Sequence, residues 1–345
     1  MDEAAIRVHT GAGDAYVVGG AVRDELLGRP VVDLDVACRD PERAARAHAD
    51  ATGGALFPLS ERHGAWRVAF RDGRTVDFTP LRDGIEADLL TRDFTVNAIA
   101  RPLGARELLD PLGGVPDLEA RTLRAVTRDV FRDDPLRLLR GVRLEDELGF
   151  RLDADTEELV RRDAALVVRP AGERILGELA LLSRDGFQRL DELGLLEPLG
   201  GSADRLDGLE PAEHPDYLLV VVLGEALLRL PVSNETRRFA RRLLAAREPE
   251  DDSPRAIHRF RRATEPWALE ALAYLAENER YRDAVERARA GDPAEPLLRG
   301  DELDLPPGPE IGRLLERVEE ERAAGTISTR EEALELVRRE ATRPT

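Results

Sequence analysis

The sequence predicts an α+β protein in which a mixed sheet with helices comes first and an all-helical region follows. Alternating apolar and polar residues indicate strands in the first ~126 residues, where Asp72-Gly73 is typical of a hairpin turn. After Pro135 the apolar spacing becomes helical, with short Gly/Pro breaks. The length of 345 residues favours two to four structural units.

The predicted elements of the sheet region follow one another closely. In order, the patterns predict a strand at 16–18, a helix at 21–27 closed by Gly28, a strand at 31–38, a helix at 42–51, and strands at 65–70 and 74–78. In the helical region, breaks are predicted at 200–201, 248–254 and 291–296.

Composition places the chain among soluble globular proteins, with 42% hydrophobic and 35% charged residues. The longest apolar run, Tyr217–Leu223, is far shorter than the ~18–20 residues of a membrane helix. The first residues lack the features of a signal peptide, so a cytoplasmic protein without membrane contact is expected. Cys38 is the only cysteine, which excludes an internal disulfide and a cysteine metal site. The oligomeric state stays open, and a monomer is compatible with the sequence.

The charge distribution is uneven. The net charge of −18 argues against long-range attraction to nucleic acid, but local patches decide binding. The chain has no lysine, so any phosphate site must use arginine guanidinium groups. Arginines cluster in three stretches: 121, 124, 128, 132, 137, 140 and 143; 237, 238, 241, 242 and 247; and 255, 259, 261 and 262. An acidic body with basic stripes suits a protein that grips RNA locally.

A pair of carboxylates marks the first candidate site. Asp33 and Asp35 alternate on a predicted strand, so both side chains share one face. Two such carboxylates form an oxygen-rich site for a hard divalent cation such as Mg²⁺. Asp77, on a later predicted strand, is the candidate third carboxylate, with a strand-edge aspartate as the alternative.

The segment before this pair favours phosphate binding. Gly19 and Gly20 stand at a strand-to-helix turn, where backbone N–H groups can approach a phosphate. Arg23 adds a charged donor. The alternative is a simple tight turn with Arg23 and Asp24 on the surface.

Six ordered segments carry a resemblance to a known family. They are Gly19–Asp35, Arg92–Ala98, Asp110–Leu118, Asp133–Arg143, Glu173–Leu179 and Pro307–Gly312. In this order they resemble the catalytic, ribose-binding, connector, nucleotide-selecting, neck-closing and tail motifs of class II (bacterial-type) tRNA nucleotidyltransferases and poly(A) polymerases, the family of CCA-adding enzymes. The resemblance is sharp over about residues 15–180 and looser beyond.

The resemblance implies a fold and a domain order. It implies a polymerase-β-like nucleotidyltransferase head at 1–126, then an all-α neck at 127–199, body at 200–270 and tail at 271–345. It also implies tRNA as partner, CTP and ATP as substrates, and Mg²⁺ as cofactor. The later basic stripes would contact the tRNA backbone without reading its sequence.

The resemblance also assigns roles to single residues. Asp33 and Asp35 would hold the metal, Gly20, Arg23 and Arg92 would meet phosphate, and Asp93 and Asn97 would hydrogen-bond the ribose. The alternative for the last pair is helix capping by Asp93 and Thr95.

Asp134, Arg137 and Arg140 fall at i, i+3 and i+6 of a predicted helix. A carboxylate accepts from an exocyclic amine and a guanidinium donates to a ring acceptor, so such a set can select C and A over U and G. Arg143 would support them. The alternative is a surface ion pair on a helix. Asp133 stands where the family often has Glu, which leaves the role of Asp133 open.

The segment from Phe78 to Thr91 is short. A shortened loop there is a feature of relatives that add only the two cytidines, which favours CC addition over CCA addition. An A-adding enzyme or poly(A) polymerase is the alternative, since some relatives with short loops add A. Two other classes remain: a polymerase-β-like nucleotidyltransferase that does not act on tRNA, and a non-catalytic RNA-binding protein on the same scaffold.

Overall fold

The chain folds into two units, and the division falls between Leu199 and Gly200. The computed structural model describes residues 3–10, 14–60, 64–303, 305–306 and 308–341. Pro307, which opens the tail motif, lies outside the described residues.

The first unit, Met1–Leu199, combines a sheet with helices. Its elements in chain order are α1 (Glu3–Thr10), β1 (Ala15–Val18), α2 (Gly20–Leu26), β2 (Asp33–Cys38), α3 (Pro41–Thr52), β3 (Ala55–Ser60), β4 (Ala65–Ala69), β5 (Thr75–Pro80), α4 (Ile85–Leu90), β6 (Ala100–Pro102), α5 (Gly114–Glu119), β7 (Thr122–Leu123), α6 (Val130–Asp133), α7 (Leu136–Leu148), β8 (Arg151–Leu152), α8 (Ala154–Asp163), α9 (Gly172–Leu179), α10 (Arg184–Glu192) and α11 (Leu196–Leu199), with 3₁₀ turns at Thr95–Asn97 and Ala164–Val168.

Six strands form one mixed sheet in the order β3-β4-β5-β2-β1-β6. Within the described residues, β2 and β5 are its parallel pair, and the other neighbours run antiparallel. The register places Asp33 opposite Thr75 and Asp35 opposite Asp77. The predicted hairpin is confirmed, since β4 and β5 pair around Asp72-Gly73. The strand expected at 31–38 begins two residues later, at Asp33, where pairing with β5 begins.

Helices dominate the chain after Pro135, as the sequence predicts. One short exception is β8, whose two residues pair with β7 in a separate parallel pair. The core of the sheet is apolar, and Val17, Val36, Val76 and Phe78 are fully buried. The α+β expectation for the chain is therefore confirmed.

Helices make up the second unit, Gly200–Thr345, in its described part. They are α12 (Tyr217–Leu223), α13 (Asn234–Ala245), α14 (Pro254–Thr264), α15 (Ala268–Leu275), α16 (Asn278–Ala290), α17 (Pro309–Ala323) and α18 (Arg330–Ala341), with 3₁₀ turns at Gly224–Arg229 and Gly300–Glu302. Ser233 and Ser253 cap α13 and α14, each accepting a backbone N–H three residues on.

The second unit contains two hydrophobic clusters. One includes Ile257, Phe260, Tyr281 and Val285, and so joins α14 to α16. The other includes buried residues between Leu298 and Val337, and so joins α17 to α18. Among the described residues, no single helix is long and apolar enough to cross a membrane. Two helical segments bent by 114°, Tyr217–Arg229 and Asn234–Ala245, are long and apolar enough only when they are taken together.

Cys38 ends β2, and the residue is 1% exposed. Burial raises the pKa of its thiol to about 11. The thiol is free.

Candidate nucleotide-binding site

An open cleft of about 540 Å³ lies within the first unit. Its walls come from the β1–α2 turn, β2 at Asp35, the end of β5, α4, the 3₁₀ turn at 95–97, the start of α7, and α9 at Arg174. It is lined by Gly19, Gly20, Asp35, Ala65, Thr79, Pro80, Arg82, Asp83, Gly84, Ala87, Asp88, Thr91, Arg92, Asp93, Asn97, Asp134, Leu136, Arg137, Arg140 and Arg174. Charged and polar groups therefore dominate the walls, as expected for a phosphate-bearing ligand.

The turn between β1 and α2 approaches two charged side chains. Gly19 has φ 73°, a left-handed value that favours glycine. A Cβ atom there would lie 3.2 Å from Asp35 Oδ2 and 3.3 Å from Arg92 Nη1. Gly19 therefore lets the main chain pass close to a carboxylate and a guanidinium that line the cleft.

The carboxylates of the sheet differ in their surroundings. Asp35 lines the cleft, and burial raises its pKa; Asp77 and Asp33 add to the rise, while Arg92 and Arg140 oppose it. Asp33 is exposed and accepts a 2.7 Å hydrogen bond from Thr75 Oγ1. Asp77 is held by a two-pronged ion pair with Arg67, at 2.6 Å to each carboxylate oxygen.

These surroundings bear on a metal ion. Asp33 and Asp35 both offer oxygen donors from one strand, and a cation would relieve the repulsion that Asp35 feels from its neighbours. Asp77 instead gives both oxygens to Arg67. Within the described part of the chain, no group of three or more His, Cys, Asp or Glu side chains gathers as a metal site. Asp33 and Asp35 are thus the carboxylates that would hold a hard cation.

A buried chain of contacts links α2, the 95–97 turn and α7. Arg23 donates to Asn97 Oδ1 at 2.8 Å, and Asn97 donates to Asp93 Oδ1 at 2.9 Å. Arg140 Nε lies 2.8 Å from the other oxygen, Asp93 Oδ2. Burial opposes the charge of Asp93, but Arg140, Asn97 and the Phe94 N–H outweigh it and lower the pKa of Asp93. These contacts fix Asp93 and Asn97 at the wall of the cleft.

Asp134 does not lie on the helix that carries Arg137 and Arg140. The prediction of one helix through all three is wrong, because Asp134 is extended at φ −141° and ψ 99°, and α7 begins at Leu136. Its carboxylate pairs with Arg174 of α9 at 2.8 Å. Arg137 instead donates to the backbone carbonyls of Thr91 at 2.6 Å and Arg92 at 3.4 Å.

The structure thus brings most of the predicted site residues together. Gly20, Asp35, Arg92, Asp93, Asn97, Asp134, Arg137 and Arg140 all line the cleft. Four others do not appear in its lining: Asp33, Asp77, Arg23 and Arg143. Arg23 is buried beneath the turn, where it holds Asp24 and Asn97. Arg143 is paired with Glu147 and Glu178.

Four charged residues of the cleft are absent from the predicted site residues: Arg82, Asp83, Asp88 and Arg174. Arg174 lies in the Glu173–Leu179 segment that carries the resemblance, but it reaches Asp134 across 40 residues of chain, so no local pattern connects the two. Asp88 accepts two hydrogen bonds from Arg92, at 2.7 and 3.1 Å. The Asp88–Arg92 spacing of four residues is the available signal for that pair.

The fold and the cleft together define a nucleotide-binding head followed by a helical region. Residues 15–85 and 76–124 match the family model described as the Poly A polymerase head domain. An A-adding tRNA nucleotidyltransferase of Deinococcus radiodurans is 34% identical to this chain, over 94% of this chain and 95% of its own length. A CC-adding tRNA nucleotidyltransferase of Geobacter sulfurreducens is 45% identical, over 51% of this chain and 41% of its own length.

A solved structure agrees with these relatives. The CCA-adding enzyme of Bacillus stearothermophilus in complex with CTP has a TM-score of 0.75 and 27% identity, covering 99% of this chain and 97% of that one. The chain therefore belongs to the tRNA nucleotidyltransferase and poly(A) polymerase family, and it is an enzyme of that type.

Proposed function

We propose that this enzyme adds C and/or A nucleotides to the 3′ end of tRNA without a nucleic-acid template, using CTP or ATP. The tRNA 3′-oxygen forms a bond to the α-phosphorus, the bond from that phosphorus to the β-phosphate bridge breaks, and pyrophosphate leaves. The hydroxyl proton passes to solvent. The observation that carries the proposal is one cleft that presents both Asp35 and the guanidinium of Arg137.

We assign each part of the nucleotide to different residues of the first unit. Asp33 and Asp35 would hold Mg²⁺, which when bound supplies charge neutralisation for the triphosphate and activation of the 3′-hydroxyl. Arg92 offers its guanidinium to phosphate once it leaves Asp88. Asp93 and Asn97, which hydrogen-bond each other, would bind the ribose hydroxyls. Asp134 and Arg137, each held by its own contacts, would hydrogen-bond the pairing edge of the base.

Two observations bear on the subtype. The segment between Asp77 and Arg92 holds the end of β5 and the six-residue α4, with Arg92 tied back to Asp88. This compact segment supports CC addition. The A-adding relative, which aligns over nearly the whole chain, supports A addition as the second candidate.

Product length on defined tRNAs separates these candidates. Two substrates are incubated with Mg²⁺: tRNA lacking its whole 3′ tail, and tRNA ending in CC. Each receives CTP, ATP or both. A CC-adding enzyme extends the first by two residues with CTP alone and leaves the second unchanged. An A-adding enzyme extends only the second, by one residue with ATP, and complete CCA synthesis rules out both restricted activities.

A substitution tests the assignment of the cleft. Asp35→Asn keeps the side-chain volume but weakens the metal site, and a loss of incorporation on the order of 10²–10³-fold or more is expected. Asp50→Asn, an exposed aspartate on α3, is the matched control and should retain activity. Retained tRNA binding by the Asp35→Asn protein distinguishes lost chemistry from lost folding. Wild-type protein that leaves both tRNAs unchanged with all four triphosphates would overturn the proposal.

A further inference from the structure

Three strands carry a row of charged side chains across one face of the sheet. The register places Arg67 of β4 opposite Asp77 of β5, and Asp77 opposite Asp35 of β2. Residues directly opposite each other on neighbouring strands point to the same face. Asp33 stands two residues before Asp35 on β2 and shares that face. One guanidinium and three carboxylates are therefore neighbours on the sheet.

Arg67 holds Asp77 with two of its three guanidinium nitrogens. Its Nε donates to Asp77 Oδ1 and its Nη2 donates to Asp77 Oδ2, each at 2.6 Å. Such a two-pronged pair is stronger and more restricted in geometry than a single contact. The side chain of Asp77 is 10% exposed and that of Arg67 is 32% exposed, so the pair is only partly screened by water. Both oxygens of Asp77 thus already face a cation.

The charge of Arg67 also acts on the other two carboxylates. Its hydrogen bonds to Asp77 raise the pKa of Arg67 most, and the nearby charges of Asp33 and Asp35 raise that pKa further. Three carboxylates and one guanidinium leave two negative charges, which one divalent cation balances. A cation beside Asp33 and Asp35 would meet repulsion from Arg67 and would find Asp77 already paired.

We propose that Arg67 is a positioning residue that keeps Asp77 out of the set of metal ligands, so that Asp33 and Asp35 alone hold the divalent cation. The inference deepens the proposed function and rests on it, because it takes Asp33 and Asp35 as metal ligands. Metal affinity would then be set in part by a strand residue that is absent from the lining of the cleft.

The test is the binding of Mn²⁺ alone to the whole chain, without nucleotide, measured as free Mn²⁺ by electron paramagnetic resonance. Mn²⁺ prefers the same oxygen ligands as Mg²⁺. A double variant, Asp33→Asn with Asp35→Asn, gives the background from the other acidic side chains. Above that background, Arg67→Gln should lower the dissociation constant about tenfold or more, because a repelling charge is lost and Asp77 becomes available.

A charge-matched double variant separates these two causes. Arg67→Gln combined with Asp77→Asn removes one positive and one negative charge, so the summed charge around the metal ligands stays as in wild type. Because Asp77 is not a ligand under the proposal, this protein should bind Mn²⁺ as wild type does. If Asp77 were a ligand in wild type, the same protein should bind about tenfold more weakly or worse, since one carboxylate of the site is gone.

Two single variants complete the comparison. Arg46→Gln is the matched control, because Arg46 is exposed on α3, pairs with Glu42 and is absent from the lining of the cleft. It changes the net charge by the same amount as Arg67→Gln, and its Mn²⁺ affinity should equal that of wild type. Arg67→Lys keeps the charge without the fork and should lie between wild type and Arg67→Gln.

The outcomes distinguish this inference from the proposed function. Wild-type affinity in Arg67→Gln, weaker binding by the charge-matched variant, or no wild-type binding above background overturns the role of Arg67, even when the enzyme extends tRNA. Wild type that binds Mn²⁺ through Asp33 and Asp35 but extends no tRNA overturns the proposed function. Should Arg67→Gln fail to fold by circular dichroism, the charge-matched variant decides, because it leaves no unpaired charge on β4 or β5.

Discussion

At the scale of single residues, the cleft depends on a few buried charges that hold one another. The side chain of Asp93 is 7% exposed and relies on Arg140 for its balancing charge. Arg140 is 43% exposed along its side chain, although its Nε is buried against Asp93. Arg140 thus pairs with Asp93 through its buried Nε, while the rest of its side chain is exposed to the cleft.

Replacing Arg140 by methionine should destabilise the first unit. The buried carboxylate of Asp93 would lose its ion pair, which costs about 2–3 kcal/mol, below the ~3–5 kcal/mol of a fully buried pair because Arg140 is partly exposed. Urea unfolding followed by fluorescence measures the loss. In a Trp267→Phe background, Trp66 is the one remaining tryptophan and reports on the first unit.

The pH dependence of that loss identifies its cause. In wild type the pKa of Asp93 is lowered, so its contribution to stability is present above its unfolded pKa and fades as the pH falls through the folded pKa. In Arg140→Met, burial dominates and raises the pKa of Asp93, so the variant gains relative stability on protonation. The difference in unfolding free energy between wild type and Arg140→Met should therefore become smaller as the pH is lowered from about 7 to about 5. The same difference at both pH values would contradict this account. So would a double variant, Arg140→Met with Asp93→Asn, that is no more stable than Arg140→Met alone.

Residue roles were predictable from the sequence only where the cause is local. The extended conformation of Asp134 has a local cause, since a residue before proline is disfavoured in helices and Pro135 follows it. The pairing of Asp77 with Arg67 follows from the β4–β5 register, which places the two opposite each other. The Asp134–Arg174 contact has no such signal, because it depends on how α9 packs against the start of α7.

At the scale of elements, the segment at 110–118 positions the 3₁₀ turn at 95–97. Asp110 accepts the backbone N–H groups of Gly114 at 2.6 Å and Val115 at 2.9 Å, which anchors the start of α5. α5 packs against the 3₁₀ turn at 95–97, and a Cβ atom on Gly114 would lie 2.2 Å from the carbonyl oxygen of Thr95. The two elements touch main chain to main chain only because residue 114 is glycine.

Gly114→Ala and Gly113→Ala form a matched pair that tests this contact. Gly113 has φ 73° but a Cβ there meets nothing within 4 Å, so alanine should cost about 1 kcal/mol of backbone strain. Gly114→Ala should cost more, at least about 2 kcal/mol, because backbone must move. It should also raise KM for the nucleotide by shifting Asn97. Similar losses of unfolding free energy in both variants would show that the close approach carries no special weight.

Four strands of the sheet (β1, β2, β4 and β5) and two helices (α2 and α3) were predicted within about two residues, because their patterns are local and periodic, whereas β3 and β6 were not predicted. The short pair β7–β8 was not, since two residues carry no period and their pairing joins distant segments. The patterns do not predict the order of the six strands either, because β2 lies between β1 and β5 and reaches β5 through a long connection rather than a hairpin.

At the scale of the whole molecule, the basic stripes of the second unit differ in their partners. Arg255 and Arg259 of α14 pair with Glu320, so part of that stripe is neutralised within the protein. Arg238 and Arg241 of α13 are exposed, and no carboxylate lies within 4.0 Å of either among the described residues. Among the described residues of these two stripes, α13 therefore presents arginines without a carboxylate partner, despite the net charge of −18.

Affinity for tRNA should follow this difference. Arg238→Gln combined with Arg241→Gln should weaken binding several-fold and lower the slope of log affinity against log salt by about 1.5–2. Arg259→Gln on α14 is the control and should change both quantities little, because its charge is already shared with Glu250 and Glu320. Filter binding across a salt series measures both. Equal effects from the two helices would place the tRNA elsewhere or across both stripes.

The division into head, neck, body and tail remains a proposal at this scale. The structure separates residues 1–199 from 200–345, while the hydrophobic cluster that joins Ile257 to Val285 spans the proposed border at 270. Composition alone could not place that border, because helices on both sides share the same charged and alanine-rich character.

The shielding of Cys38 has a practical consequence for watching this enzyme move. Because the Cys38 thiol is buried and its pKa is raised, it should not react with maleimide dyes at neutral pH. A cysteine introduced at the surface would then be the residue that is labelled. Fluorophores can therefore be introduced on either side of residue 199 without first removing a side chain from the strand that bears Asp35.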